Sequence, residues 1–250
     1  MHNSLNRLQN VFGYFTTVAF TVAAFIAASV VFFPQNPRAS LELQNVQVVK
    51  GRPHYYSTKR EEYAHIRFDL DADLSSLFNW NTKQIFLYIT ASYPSTDNPS
   101  TNPPSSSIVW DAIIPSNLAP WHPNTYVHPS TKPSTSKSKN KNKKSKDTGK
   151  PYPPGGQPGI IKLSNQKPKY QITDISGKIA ERRNATLTLH WNVQPWVGPL
   201  VWDNRNTYGL WEGLQGGEAR FDFPSLKGSE VKKEDLKTET GAERNRGSPA

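Results

Sequence analysis

The stretch "RRNATLTLHWNV", Arg182 to Val193, decides the fold class. Within it Thr186, Thr188 and His190 alternate with Leu187, Leu189 and Trp191. A period of two with one apolar face predicts a half-buried strand. The same stretch carries Asn184-Ala185-Thr186, an acceptor triplet for N-linked sugar. The triplet is therefore either an oligosaccharide site or merely the polar start of a strand, and the compartment decides which.

Working outward, similar patterns recur. "AHIRFDLDADL" sets Ile66, Phe68, Leu70 and Ala72 against Arg67, Asp69, Asp71 and Asp73. In "KQIFLYITASY", Ile85, Leu87, Ile89 and Ala91 face one way and Phe86, Tyr88 and Thr90 the other. Apolar residues on both faces predict a central strand at Lys83–Tyr93. "LELQNVQVVK", "SIVWDAII", "KYQITDIS", "PLVW" and "ARFDF" complete a set of about eight short candidates separated by turn residues. No long amphipathic helical pattern intervenes, so the fold class is all-β, an antiparallel β-sandwich.

The β-domain is expected over residues 34–223, interrupted by a Lys-, Ser- and Pro-rich insert at 127–159. That composition cannot bury apolar surface and predicts disorder, as does the polar tail at 224–250. The insert also explains the charge. The chain of 250 residues carries a net +10, but Lys132 to Lys150 holds eight lysines and one acid, leaving only +3 elsewhere. An ordinary surface with a solvated basic linker follows, not a nucleic-acid groove. There is no cysteine, which excludes disulfides, thiolate chemistry and cysteine-based metal sites.

Residues 11–33, "VFGYFTTVAFTVAAFIAASVVFF", contain no charge. At 1.5 Å per residue they span about 35 Å, enough to cross a hydrocarbon core of about 30 Å. The run is longer than a signal-peptide core and only Arg7 precedes it, so an uncleaved signal anchor after a short segment at 1–10 is the better reading. The few basic residues near its ends favour the carboxy-terminal side in the cytosol, the acceptor triplet favours the lumen, and the residues alone leave orientation open. Ala19, Ala23 and Ala27, four apart, form a stripe of small side chains where a second helix can approach, unless alanine is simply apolar filler.

Chemical motifs are not found. Asp69, Asp71 and Asp73 open like a calcium loop, but the sixth and twelfth positions hold Leu74 and Trp80 instead of Gly and Glu. The histidines are scattered, and no nucleophile elbow, Ser-x-x-Lys or phosphate loop occurs. No catalytic residue, cofactor site or metal site is assigned. The tryptophans, including Trp191, Trp196, Trp202 and Trp211, are core anchors or a partner-contact patch, with core the default for Trp191.

Three blocks carry a family resemblance: "RFDLDADLSSLFNWNTKQIFLYITASY", "VWDAII" and "KYQITDISGKIAERRNATLTLHWNV". Their order and spacing, with the anchor "LNRLQNVFGYFTTVAFTVAAFIAAS", resemble signal peptidase complex subunit 3. The resemblance runs to about Trp196 without residues 127–159, and "GGEARFDFP" is a weaker echo of the family's ending. It implies a single-pass type II protein of the endoplasmic reticulum membrane, with a cytosolic amino terminus and a lumenal β-domain. It implies a sugar on Asn184, and a non-catalytic accessory subunit beside a separate catalytic subunit that removes signal peptides from nascent secretory proteins. The expected partners are that subunit, the rest of the complex, the membrane and, indirectly, the preproteins. The rival reading is a membrane-tethered lumenal binding module, lectin-like or chaperone-like.

Overall fold

The computed structural model describes residues 3–94, 103–127, 152 and 156–227. Helix α1, Ser4–Ser29, runs on into a 3₁₀ turn at Val30–Phe32, and Pro34 follows. Together they make one helix of 29 residues that is long and apolar enough to cross a membrane. Its large side chains, such as Phe20 and Phe25, stand uncovered by protein. Thr16 and Thr17 donate their hydroxyls to the Gly13 carbonyl, and Thr21 donates to that of Thr17. Each hydroxyl is thus satisfied inside the helix, as an apolar surrounding requires.

The rest is two sheets face to face. One contains β1 (Arg38–Gly51), β2 (Glu61–Asp73), β5 (Ile160–Gln166) and β8 (Gln215–Gly216), in the order β5-β2-β1-β8. The other contains β3 (Thr82–Tyr93), β4 (Ser105–Pro115), β6 (Ala185–Pro195) and β7 (Val201–Trp202), in the order β4-β3-β6-β7, with β9 (Glu218–Phe221) also paired to β6. All pairings between these strands are antiparallel except the short β1–β8 pair. The all-β sandwich expected from alternation is what forms.

Between the sheets lies one core. Ile66, Phe68 and Leu70 of β2 meet Ile85, Leu87 and Ile89 of β3 and Leu187, Leu189 and Trp191 of β6, all essentially without solvent contact. Trp191 is in the core as expected. Asp69, Asp71 and Asp73 point outward between these apolar positions and are engaged there. Asp71 pairs with Lys162 at 3.3 Å, Asp69 accepts from Gln44 and Asn165, and Asp73 accepts from Ser75. Among the described residues no group of His, Asp or Glu is arranged to hold a metal.

One strand assignment needs correction. "KYQITDIS" forms only an isolated bridge, Ile172 with Ala64. The Asp174 carboxylate accepts from the Ser176 amide and hydroxyl and from Arg182, which folds the segment into a turn ahead of Gly177 at φ 74°. The strand paired to β2 is instead "IIKLSNQ", β5. Residues 128–151, 153–155 and 228–250, which hold most of the segments expected to be disordered, lie outside the described residues. At their margins, Tyr152 is buried and donates to the Pro115 carbonyl at 2.7 Å, burial pushing its phenol pKa up. Leu226 bridges to Val48.

Candidate membrane-proximal interaction surface

The strands give the β-domain two poles. The chain leaves α1 and starts β1 at Arg38, beside Asp73 at the end of β2. Thr82 begins β3 at this same pole, opposite Pro195 at the end of β6. The far pole holds Tyr93, Ser105 and Ala185. Eleven residues of β6 at about 3.3 Å each put roughly 35 Å between the poles.

At the near pole the segment that follows the helix is stapled to the domain. Gln35, only 5% exposed, donates its N–H to the Leu210 carbonyl at 3.0 Å and accepts from the Glu212 N–H at 2.8 Å. Asn36 N–H donates to the Ser76 hydroxyl at 3.0 Å. The loop after β6 lies along the helix itself, where a Cβ placed on Gly198 would stand 3.1 Å from the Ala27 Cβ. Gly198 has φ +126°, so both its backbone and this close approach require glycine. A cleft of about 150 Å³ opens between helix and domain, lined mainly by Ala27, Val30, Val31, Val193, Pro195 and Trp211.

The loop is fixed by Asn81, which is 1% exposed. Its side-chain amide acts as a peptide edge: Nδ2 donates to the Val197 carbonyl at 2.7 Å, and Oδ1 accepts the Val197 N–H at 3.1 Å. The Asn81 carbonyl accepts from Trp196 N–H at 2.8 Å. Asn79 orients Asn81 in turn, its Oδ1 accepting the Asn81 N–H at 2.9 Å. Lys83 Nζ lies 5.5 Å from the centre of the Trp196 ring.

A second surface covers the outer face of the sheet that contains β3. Phe86 stacks on Tyr88 at 5.6 Å, and Tyr88 stacks on His190 at 5.2 Å. His190 Nδ1 lies 2.7 Å from Asp203 Oδ2, and Trp202 beside them is 59% exposed. Burial, with the Asp203 charge adding to it, holds the Tyr88 phenol above its ordinary pKa. The apolar residues on this second face, which marked Lys83–Tyr93 as a central strand, are therefore also a half-buried aromatic ladder.

The far pole carries Asn184. It is exposed, sits at φ 60° just before β6, and its N–H donates to Asp222 Oδ1 at 2.7 Å. Nearby Arg182 donates to Asp174 at 2.7 Å and lies over the Tyr93 ring. Burial works to raise the Asp174 carboxyl pKa. The Ser176 hydrogen bonds and Arg182 outweigh it, leaving the group below the ordinary carboxylate value.

Of the alanine stripe, Ala19 is exposed, Ala23 is partly covered, and Ala27 faces the chain's own Gly198. The structure thus brings the last of the three against the domain. Sequence reading missed Gln35, Asn81, Gly198 and Asp203. The only local hint was the uncharged run "VQPWVGPLVW", Val193–Trp202, flanking the end of a strand.

Fold and surfaces together describe a protein with, among the described residues, one helix long and apolar enough to anchor it in a membrane, followed by a β-sandwich whose loop after β6 approaches that helix at Ala27. Its relatives carry a specific description. A family described as signal peptidase subunit matches residues 1–145 and 156–210. Signal peptidase complex subunit 3 of Yarrowia lipolytica is 30% identical over 236 residues, covering 90% of this chain and 100% of the relative. The Saccharomyces cerevisiae protein of that name is 31% identical over 210 residues, covering 81% and 91%. The Gallus gallus protein is 29% identical over 205 residues, covering 80% and 89%. The chain belongs to the signal peptidase subunit family.

Proposed function

We propose that this chain is the accessory subunit of the endoplasmic reticulum signal peptidase complex that binds and positions the catalytic subunit for removal of signal peptides from nascent secretory proteins. Its amino terminus lies in the cytosol and its β-domain in the lumen. The observation that carries this reading is the family match across both the anchor and the sandwich, in a chain whose anchor runs directly into a segment, Gln35–Asn36, that is hydrogen-bonded to the sandwich. A head fixed on its own helix holds a neighbour at a set height above the membrane. A freely tethered head does not.

In this reading the Phe86–Tyr88–His190 ladder with Trp202 meets the catalytic subunit. Large aromatic side chains on an open sheet face, close to one charged pair, are the residue types that anchor protein contacts. Within the membrane, Ala19 and Ala23 remain for a partner helix, Ala27 being taken up by Gly198. Asn184 is the glycan acceptor. Its exposure at the pole away from the helix supports the assignment, because a sugar there touches neither the anchor nor the ladder.

Affinity capture of the full chain in mild detergent is expected to recover a serine peptidase subunit, and depletion is expected to leave uncleaved preproteins accumulating broadly. Repeated capture without a peptidase, or normal processing in depleted cells, refutes the role. Glycosidase treatment tests orientation separately: a mobility shift abolished by Asn184→Gln is expected, and an unshifted chain refutes the lumenal placement.

A further inference from the structure

We infer that the loop Pro195–Leu200 is a membrane-inserting element, seated in the headgroup–acyl boundary of the same leaflet surface from which α1 emerges. Gly198 touches Ala27, five residues before the helical span ends at Phe32. At 1.5 Å per residue the loop therefore reaches about 8 Å back down the helix from its end. Counting about 20 residues from Val11 for a 30 Å hydrocarbon core puts its far boundary near Val30, so Ala27 and whatever packs on it lie at or below that boundary.

The loop has the chemistry this position requires. Val193 to Trp202 contains no charged residue. Trp196 and Leu200 are about half exposed, at 47% and 50%, and Trp80, next to Asn81, is 57% exposed. Tryptophan partitions to the membrane–water interface, where an apolar ring and an N–H are both served. Lys83 over the Trp196 ring places a cation at the level of lipid phosphates.

Irregular backbone is normally excluded from lipid because its polar groups lack partners. Here that cost is reduced at the loop's centre. Pro195 and Pro199 have no N–H, Trp196 and Val197 donate theirs to Asn81, and Asn81 also answers the Val197 carbonyl. Asn81 thus does for the loop what a neighbouring strand does for an edge. The occupant that fits is lipid rather than a partner helix, because the loop is continuous with a spanning helix whose surrounding side chains are themselves open to lipid. The inference rests on the membrane anchor alone and holds whether or not the peptidase role does.

The chain lacks cysteine, so a single introduced thiol can be labelled uniquely. Val197→Cys and, independently, Leu200→Cys carry an environment-sensitive fluorophore, in the full chain reconstituted into phosphatidylcholine vesicles. Ile175→Cys, fully exposed and near the far pole, is the aqueous reference. Both loop sites are expected to emit blue-shifted light and to resist aqueous iodide. Shallow acyl spin labels should quench them about twofold more than deep ones, as an interfacial depth demands. Emission at both sites matching Ile175→Cys overturns the inference. So does water-like emission in the isolated chain that turns apolar only when the assembled complex is reconstituted, which assigns the loop to a partner helix instead.

Discussion

Replacing Asn81 by alanine removes the clamp on the loop after β6 without touching the helix or the aromatic ladder. Two hydrogen bonds are lost, at 2.7 and 3.1 Å, and the Val197 N–H and carbonyl are left without the partners they have in a site where Asn81 itself is 1% exposed. Each net bond is worth about 1 kcal/mol, and an orphaned buried group costs about 1–3 kcal/mol. With water reaching part of the loop, about 2–4 kcal/mol is the expected loss. Asn81→Asp keeps the acceptor for the Val197 N–H but turns a second carboxylate oxygen on the Val197 carbonyl in a site 1% exposed, so a loss at least as large is expected at neutral pH. The loss is local first, because the Trp196 N–H still reaches the backbone carbonyl of residue 81. The assay is amide hydrogen exchange on the full chain, read on peptides spanning residues 194–200. At about 1.4 kcal/mol per factor of ten, protection at Val197 should fall roughly 30- to 1000-fold in Asn81→Ala. Peptides from the core of β3 should be unchanged. Equal protection in parent, Ala and Asp variants refutes the idea that this side chain holds the loop.

Further outcomes follow from the remaining parts. Leu87→Ala or Leu189→Ala, in the middle of the core, should each cost about 2–5 kcal/mol, visible as a lowered thermal midpoint and poor accumulation. Gly216→Ala sets a Cβ 2.2 Å from the Ala39 carbonyl oxygen at φ +81°, and should lower stability by at least about 1–3 kcal/mol in the same melt. Asp174 titrates below the ordinary carboxylate value, so its contribution is complete above about pH 4 and is lost as pH falls through the folded value. Asp174→Asn leaves the Arg182 guanidinium without its carboxylate in a buried pair, and should weaken the fold by about 3–5 kcal/mol at neutral pH and flatten its loss of stability in acid, measured by denaturant melts across pH. Tyr88→Ser combined with Trp202→Ser should abolish capture of the peptidase subunit while shifting the melt far less than Leu87→Ala does.

Residues that alternate strictly told their own story. In β2, β3 and β6 the apolar set faces the core at each predicted position, because a period of two leaves no other way to bury Phe68, Ile89 and Trp191 together. "KYQITDIS" misled because its Tyr170 and Ile172 mimic alternation, which Ile175, three residues on, does not continue. Asp174 bends the backbone through its own side chain, and Ile175 ends fully exposed. In β5 only Ile161 is fully buried, with Leu163 partly covered, so its seven residues carried little signal. The membrane-side surface was least legible. The Asn81–Val197 clamp joins residues 116 apart, and an asparagine ahead of a strand looks like any turn residue. Ala27 was legible as a small residue in a stripe, but not as the seat of Gly198. The aromatic ladder lay half visible, since Phe86 and Tyr88 marked a two-faced strand without saying which face stays open.

The order of strands has a consequence for synthesis. Strand β3 pairs with β4 through a nearby hairpin, but its other neighbour, β6, begins only about ninety residues later, beyond the lysine-rich stretch. Until that late strand arrives, a long apolar edge stands unprotected, and nascent chains should need shielding during that interval. Lengthening the intervening stretch adds little, since doubling a loop costs only about 0.6 kcal/mol. Variation there is thermodynamically cheap, while delay in delivering β6 is a kinetic hazard.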